Sequence, residues 1–173
     1  MRIRLDSEAA QIAFGRLIAE HIRPPLVIYL QGDLGTGKTT LTRGVLRGLD
    51  HIGPVRSPTY TLLEPYELPS IHLYHLDLYR LGDPEELEFL GLRDLLDGKS
   101  LLFVEWPERC EGSLPSADLR IRIAHAGESR NLELVAEGSR GAELVSRLRA
   151  SSTHATQREN NLEEDTDASV ASP

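Results

Sequence analysis

The sequence has a single cysteine, Cys110, and no uninterrupted apolar run long enough to cross a bilayer. One cysteine excludes an internal disulfide and leaves no second thiol for a cysteine-based zinc site. The N-terminal residues 1–6 lack the apolar stretch of a secretory signal peptide. These absences predict a soluble protein of the cytoplasm that has no membrane partner.

Lysine is also scarce, because only Lys38 and Lys99 are lysines among the 19 basic residues. Acidic residues outnumber basic ones, and the net charge of −8 argues against broad, nonspecific binding to nucleic acid. Residues 151–173 hold one arginine, five acidic residues and hardly any large apolar side chain. We therefore expect one folded domain over residues 1–150 and a disordered acidic tail over 151–173, for which a partner-binding arm is the alternative.

The segment from Gly32 to Thr39 reads GDLGTGKT and fits the phosphate-binding pattern G-x-x-x-x-G-K-[ST]. An apolar run of strand length precedes it at 25–30, and apolar residues at helical spacing follow it over 40–49. Glycines let such a loop point its N–H groups at phosphates, and the start of the helix adds its positive dipole end. Lys38 is predicted to reach the β- and γ-phosphates as a catalytic residue, and Thr39 to ligate Mg²⁺. The expected nucleotide-binding residues of this loop are Gly32, Asp33, Leu34, Gly35, Thr36, Gly37, Lys38, Thr39 and Thr40.

The order of strand and helix patterns predicts a three-layer α/β fold of the P-loop NTPase class. Its mixed central sheet should have parallel core strands and antiparallel edge strands. Helices are predicted over about 7–22, 37–49, 84–96 and 141–148. Strands are predicted over about 2–5, 25–30, 61–66, 71–79, 101–105, 118–125 and 131–136, the last two as an antiparallel pair.

A P-loop enzyme also needs a carboxylate at the end of a neighbouring strand to hold Mg²⁺. Glu105 ends the apolar run LLFVE and is the predicted metal ligand. Asp77 ends another strand and is predicted to orient or deprotonate the attacking water, or to shape a partner surface. Capping or an ion pair with Arg80 is the structural alternative for Asp77. His75 lies on the same strand face, so we expect it to form a hydrogen-bonded pair with Asp77, unless it is a plain structural histidine.

Ser57 and Thr59 follow the P-loop helix, where a loop would fold back over the γ-phosphate. They are predicted to be switch-like residues, with Thr59 either sensing the γ-phosphate or stabilising a turn.

Trp106, the only tryptophan, directly follows Glu105 and is expected to lie near the nucleotide, with core or partner surface as alternatives. The sequence has no N-K-x-D guanine-reading motif, which favours adenine. No arginine finger in the same chain is obvious beyond Arg80, which predicts slow hydrolysis until a partner completes the site.

Further motifs follow the P-loop in a fixed order: SPTYTL at 57–62, HLDLYRL at 75–81, ELE at 86–88 and EWPER at 105–109. Together they resemble the bacterial TsaE (YjeE) family of P-loop ATPases over residues 3–136. The resemblance implies a role in making N6-threonylcarbamoyladenosine (t6A), the modified base beside the anticodon of tRNAs that read codons beginning with A. Family members do not transfer the threonylcarbamoyl group, and ATP hydrolysis is thought to reset the transferase complex between turnovers.

The same resemblance implies ATP and Mg²⁺ as cofactors. It implies that the protein binds the threonylcarbamoyl-transferase subunit and that subunit's inactive paralogue, and meets tRNA only indirectly. Lys38 and its loop would hold the triphosphate, Thr39 and Glu105 would hold Mg²⁺, and Asp77 would be needed for hydrolysis. Gln11 stands where family members often carry a threonine near the base.

Two other functions use the same P-loop. A small-molecule kinase needs an acceptor pocket and usually an arginine-rich lid, and no arginine cluster of that kind follows Glu105. A nucleotide-gated scaffold, whose assembly is controlled by bound ATP rather than by hydrolysis, shares every motif above.

Overall fold

A seven-stranded sheet forms the central layer, in the order β1-β7-β6-β2-β5-β4-β3. The structure is a computed structural model and describes residues 1–69, 71–83, 85–95, 98–110 and 112–152. The strands are β1 (Arg2–Leu5), β2 (Leu26–Gln31), β3 (Leu63–Glu67), β4 (His72–Asp77), β5 (Ser100–Glu105), β6 (Leu119–Ala126) and β7 (Ser129–Ala136). The helices are α1 (Glu8–His21), α2 (Lys38–Gly48), α3 (Glu86–Phe89), α4 (Leu92–Leu95) and α5 over residues 139–152.

The four middle strands run parallel, because β2 pairs in parallel with β5 and β6, and β5 with β4. The outer strands are antiparallel: β7 pairs with β6 and β1, and β3 pairs with β4. Every residue of β5 is buried, which is typical of a central parallel strand covered on both faces. The predicted mixed sheet, with parallel core and antiparallel edges, is confirmed.

The sheet separates two apolar layers. Ile28 and Leu30 of β2 pack in a cluster with side chains of α1, α2 and α5, whereas Val27 and Tyr29 pack with side chains of α3 and α4. This alternation follows from the two-residue period of a strand. It confirms the predicted three-layer arrangement.

The single helix predicted over 84–96 is wrong. The described part of this segment holds two four-residue helices, α3 and α4, and Gly91 between them has a φ of 61°. A glycine in this left-handed conformation commonly ends a helix, so the chain turns at Gly91 instead of continuing. Pro84 and Leu96, the predicted ends, lie outside the described residues.

Most other elements agree with their predictions to within a few residues, and the exceptions have local causes. Leu62 has a φ of 63° and its N–H donates to the Pro58 carbonyl at 2.7 Å, so β3 begins at Leu63 and not at Thr61. Helix α5 starts two residues before the predicted position and continues to residue 152.

Residues 153–173, most of the predicted acidic tail, lie outside the described residues. No helix in the described part of the chain is both long and apolar enough to span a membrane.

Candidate functional site

The carboxyl ends of β2, β4 and β5 meet at one edge of the sheet, because these strands are parallel neighbours. The register places Glu105 opposite both Leu30 of β2 and Asp77 of β4. A cleft of about 580 Å³ opens at this edge. Its walls include eleven predicted site residues: Leu34, Gly35, Gly37, Lys38, Thr39, Thr40, Ser57, Thr59, Asp77, Glu105 and Trp106. The structure therefore brings together side chains that the sequence separates by about 70 positions.

The P-loop connects β2 to α2, as its motif predicts. Gly32 has a φ of 147°, and a Cβ at this position would lie 2.2 Å from the Ile123 carbonyl oxygen of β6. Thr36 donates its hydroxyl to the Asp33 carbonyl at 2.9 Å, which closes the turn. Gly32, Asp33 and Thr36 thus shape the loop backbone without lining the cleft.

A buried glutamine supports the other side of the loop. The Gln11 amide, on α1, donates to the carbonyls of Gly37 at 2.9 Å and Thr36 at 3.3 Å, and Gln11 is only 3% exposed. Gly37 has a φ of 94°, and a Cβ there would lie 2.5 Å from the Gln11 side chain. Position 11 is therefore a support of the P-loop backbone.

Lys38 lies at the floor of the cleft. Its ammonium donates to the Gly32 carbonyl at 2.7 Å and to the Asp33 carbonyl at 3.0 Å, and it sits 3.9 Å from the centre of the Trp106 ring. Burial lowers the pKa of Lys38 below the usual lysine value, and the charges of Glu105 and Asp77 oppose that shift. The site therefore holds a buried positive charge, 4% exposed, beside an aromatic face.

Thr39 and Glu105 face each other across the cleft. The Thr39 hydroxyl donates to Glu105 Oε1 at 2.8 Å, and His75 Nε2 lies 2.8 Å from the same oxygen. The predicted hydrogen-bonded pair of His75 and Asp77 is therefore wrong. The two residues share a face of β4, but the parallel neighbour β5 brings Glu105 within reach of the imidazole. His72, on the opposite face of β4, is exposed.

Asp77 holds the segment that contains Ser57 and Thr59. Its Oδ2 accepts hydrogen bonds from both hydroxyls, with Thr59 at 2.7 Å, and its Oδ1 accepts from the Tyr79 N–H at 3.0 Å. Arg80 stacks on the ring of Tyr60 at 4.5 Å and donates to its hydroxyl at 3.3 Å. The carboxylate thus anchors the segment of Ser57 and Thr59, while Arg80 contacts Tyr60 at the cleft wall.

The oxygen atoms of the Thr39 hydroxyl and the Glu105 carboxylate fit the ligands of an Mg²⁺ ion that is bound together with a nucleotide. A hydroxyl and a carboxylate, both hard oxygen donors, lie 2.8 Å apart next to the phosphate loop. No group of three or more His, Cys, Asp or Glu side chains that could hold a metal by itself occurs in the described ranges. Mg²⁺ fits such a sparse site, because it usually keeps several waters and binds through one or two protein groups plus phosphate oxygens.

The contacts that were not predicted from the sequence include Gln11 with the P-loop, His75 with Glu105, and Ser57 and Thr59 with Asp77. A polar residue on the apolar face of α1 is a weak signal for Gln11, since buried polar groups need partners. No signal along the chain identifies the partner of His75, because the register between β4 and β5 decides it.

Comparison with known proteins adds an independent result. A sequence model described as "Threonylcarbamoyl adenosine biosynthesis protein TsaE" matches residues 5–132. The tRNA threonylcarbamoyladenosine biosynthesis protein TsaE of Haemophilus influenzae is 46% identical over 147 residues, which cover 82% of this chain and 93% of the relative. The protein of the same name from Bacillus subtilis is 39% identical over 137 residues, covering 79% and 85%. The crystal structure of Bacillus subtilis YdiB superposes with a TM-score of 0.76 at 32% identity and covers 88% of this chain and 95% of that one.

Proposed function

Because the chain belongs to the TsaE family of threonylcarbamoyl adenosine biosynthesis proteins, we propose that it is an Mg²⁺-dependent ATPase that serves t6A modification of tRNA. It binds ATP, hydrolyses it slowly, and uses hydrolysis to drive or reset the threonylcarbamoyl-transferase complex without transferring the group itself. The protein acts in the cytoplasm, where tRNA is modified.

One observation carries the proposal: the hydrogen bond between Thr39 and Glu105, at 2.8 Å, beside the Lys38 ammonium. This contact joins the P-loop helix to the end of the neighbouring strand β5, which is how a P-loop NTPase pairs its two metal-binding side chains. The P-loop motif includes Thr39 but not Glu105. The order of the strands brings Glu105 next to Thr39, so this contact supports the proposal separately from the motif.

The roles of the chain's residues follow from this geometry. The N–H groups of the P-loop and the N-terminus of α2 bind the phosphates, and Lys38 neutralises charge on the β- and γ-phosphates. Thr39 and Glu105 would hold Mg²⁺, which supplies charge neutralisation to the phosphate oxygens. Asp77 serves hydrolysis, either through the attacking water or through the Ser57–Thr59 segment that it anchors.

The partners that fit this role are the transferase subunit and its inactive paralogue. In the described part of the chain, Arg80 is the arginine that lines the cleft, and its guanidinium is stacked on Tyr60. An ATPase whose arginine is not directed at the phosphates hydrolyses slowly, so a partner is expected to complete the site. The net charge of −8 supports indirect contact with tRNA, through those partners.

The decisive experiment measures ATP hydrolysis by the purified chain, alone and with the transferase and its paralogue. We expect slow, Mg²⁺-dependent hydrolysis that rises strongly when both partners are present. Lys38→Ala should lower it about 100-fold or more, since a charged donor to the transferring phosphoryl group is lost. Lys99→Ala is the matched control, because Lys99 is the only other lysine and is exposed. Hydrolysis that stays below detection with both partners and Mg²⁺ would contradict the proposal.

The nucleotide-gated scaffold is the second candidate, and the contacts of Asp77 favour it. A carboxylate that anchors Ser57 and Thr59 can report nucleotide occupancy to a partner without taking part in hydrolysis. The Ser57→Ala/Thr59→Val variant keeps the carboxylate and removes the hydroxyls that it anchors. If this variant hydrolyses ATP normally but no longer supports t6A modification, the scaffold is favoured. If modification is lost only together with hydrolysis, the ATPase is favoured.

A further inference from the structure

We propose that His75 is a positioning residue for the metal-binding carboxylate of Glu105. The inference rests on the proposed function, because it concerns how Glu105 is held for Mg²⁺. In this proposal the His75 imidazole does not contact the nucleotide and acts only through Glu105. It fixes one carboxylate oxygen so that the other faces the cleft.

The geometry of the pair is that of a buried hydrogen bond between neighbouring strands. His75 is 0% exposed and Glu105 is 3% exposed, and His75 Nε2 lies 2.8 Å from Glu105 Oε1. A carboxylate oxygen accepts only, so the imidazole donates through Nε2. The Thr39 hydroxyl donates to the same oxygen at 2.8 Å.

Two donors on one oxygen determine how the carboxylate is oriented. With Oε1 held by His75 and Thr39, the described residues offer no hydrogen bond to Oε2, and Glu105 lines the cleft. Oε2 is therefore the oxygen available to a metal ion or to one of its waters. Partners that hold a ligand's orientation in this way strengthen metal binding.

The second nitrogen of His75 argues against a role in packing alone. Nδ1 is buried and finds no hydrogen-bond partner within the described ranges. A buried polar atom without a partner is destabilising, and an apolar side chain of similar size would avoid that cost. The bond from Nε2 to Glu105 is the one interaction of the imidazole that compensates.

A pair of substitutions separates positioning from packing. In His75→Gln, the amide nitrogen is as many bonds from Cβ as Nε2 is in histidine, so the donor to Glu105 is kept. In His75→Asn, the amide reaches only the position of Nδ1, so this donor is lost. His72→Asn is the control, because His72 lies on the same strand and is exposed.

The measurement is binding of a non-hydrolysable ATP analogue, followed by the fluorescence of Trp106, the only tryptophan. It is made in EDTA and across a range of Mg²⁺ concentrations. For His75→Asn we expect unchanged affinity in EDTA and a rise of about tenfold or more in the Mg²⁺ concentration for half-maximal effect. His75→Gln and His72→Asn should stay close to the parent protein.

Three results would overturn the assignment. The first is an unchanged Mg²⁺ dependence in a folded His75→Asn protein. The second is an equal change in the Asn and Gln variants, which would mean that packing decides. The third is binding by the parent protein that does not respond to Mg²⁺, which would remove the metal from the proposed function as well. A parent protein that responds to Mg²⁺ but hydrolyses no ATP would contradict the proposed ATPase alone and leave the role of His75 standing.

Discussion

At the residue scale, Asp77 has the contacts of an anchor and lines the cleft at the end of β4. It is 2% exposed, and its two oxygens accept hydrogen bonds from Ser57, Thr59 and the Tyr79 N–H. A carboxylate with this many donors is held in one orientation. The Ser57–Thr59 segment in turn depends on it, since both hydroxyls point to the same oxygen.

We expect Asp77→Ala to loosen the segment 57–62 and to lower ATP hydrolysis without lowering nucleotide affinity. Amide exchange in that segment should rise about tenfold or more, because two side-chain hydrogen bonds to the loop are lost. Affinity should not fall, because the substitution removes a negative charge near the phosphates. Hydrogen exchange read by mass spectrometry and binding of an ATP analogue check the two parts.

The double variant Ser57→Ala/Thr59→Val separates the two roles of Asp77. It keeps the carboxylate and removes the hydroxyls that it anchors. If anchoring is the main role, this variant reproduces both the faster exchange and the loss of hydrolysis. Hydrolysis that survives in a loosened loop would assign Asp77 to the attacking water.

At the scale of elements, the close crossing of α1 and α2 connects packing to the site. A Cβ added at Gly15 would lie 2.6 Å from the Leu41 carbonyl oxygen and 2.7 Å from Gly44 Cα, both backbone atoms of α2. Backbone cannot move aside as a side chain can, so α1 would have to shift. The same helix carries Gln11, which supports the P-loop.

Gly15→Ala is therefore expected to destabilise the protein by about 1–3 kcal/mol, although alanine is the better helix former by about 1 kcal/mol. Thermal unfolding should move down by about 2–4 °C for each kcal/mol in a chain of this size. Nucleotide affinity should also fall, because Gln11 moves with α1. Glu20→Ala, an exposed position on the same helix, is the control and should leave both quantities nearly unchanged. A more stable Gly15→Ala protein would show that α1 and α2 can separate freely.

The elements also show which parts of this molecule are predictable from its sequence. The P-loop, the strand before it and the helix after it are local patterns, and all three were predicted. Glu105 and Asp77 were predicted as site residues because each is a carboxylate at the end of a predicted strand, a feature visible along the chain, and both line the cleft. The partner of His75 was not predicted, because the choice between Asp77 and Glu105 depends on the register between β4 and β5. The break at Gly91 was missed because glycine inside a helical pattern does not always end the helix.

At the scale of the whole molecule, the body and the C-terminal segment differ in composition and in charge. The apolar core includes Leu148 of α5, which is fully buried. Beyond the described part of the chain, residues 153–173 contain one arginine, five acidic residues and hardly any large apolar side chain. Such a sequence has too little apolar surface to offset the entropy of ordering it, so a disordered tail remains a prediction from the sequence.

Deleting residues 153–173 should therefore leave the melting temperature within about 2 °C of the full chain, and ATP hydrolysis by the isolated protein unchanged. The deletion removes half of the net charge of −8, so any effect on partners should be electrostatic and should weaken as salt is raised. If the deletion lowers the stimulation of ATP hydrolysis by the transferase complex in low salt but not in high salt, the tail is assigned to partner binding. A large drop in melting temperature would instead mean that the tail packs on the body, because removing a solvated segment exposes no core.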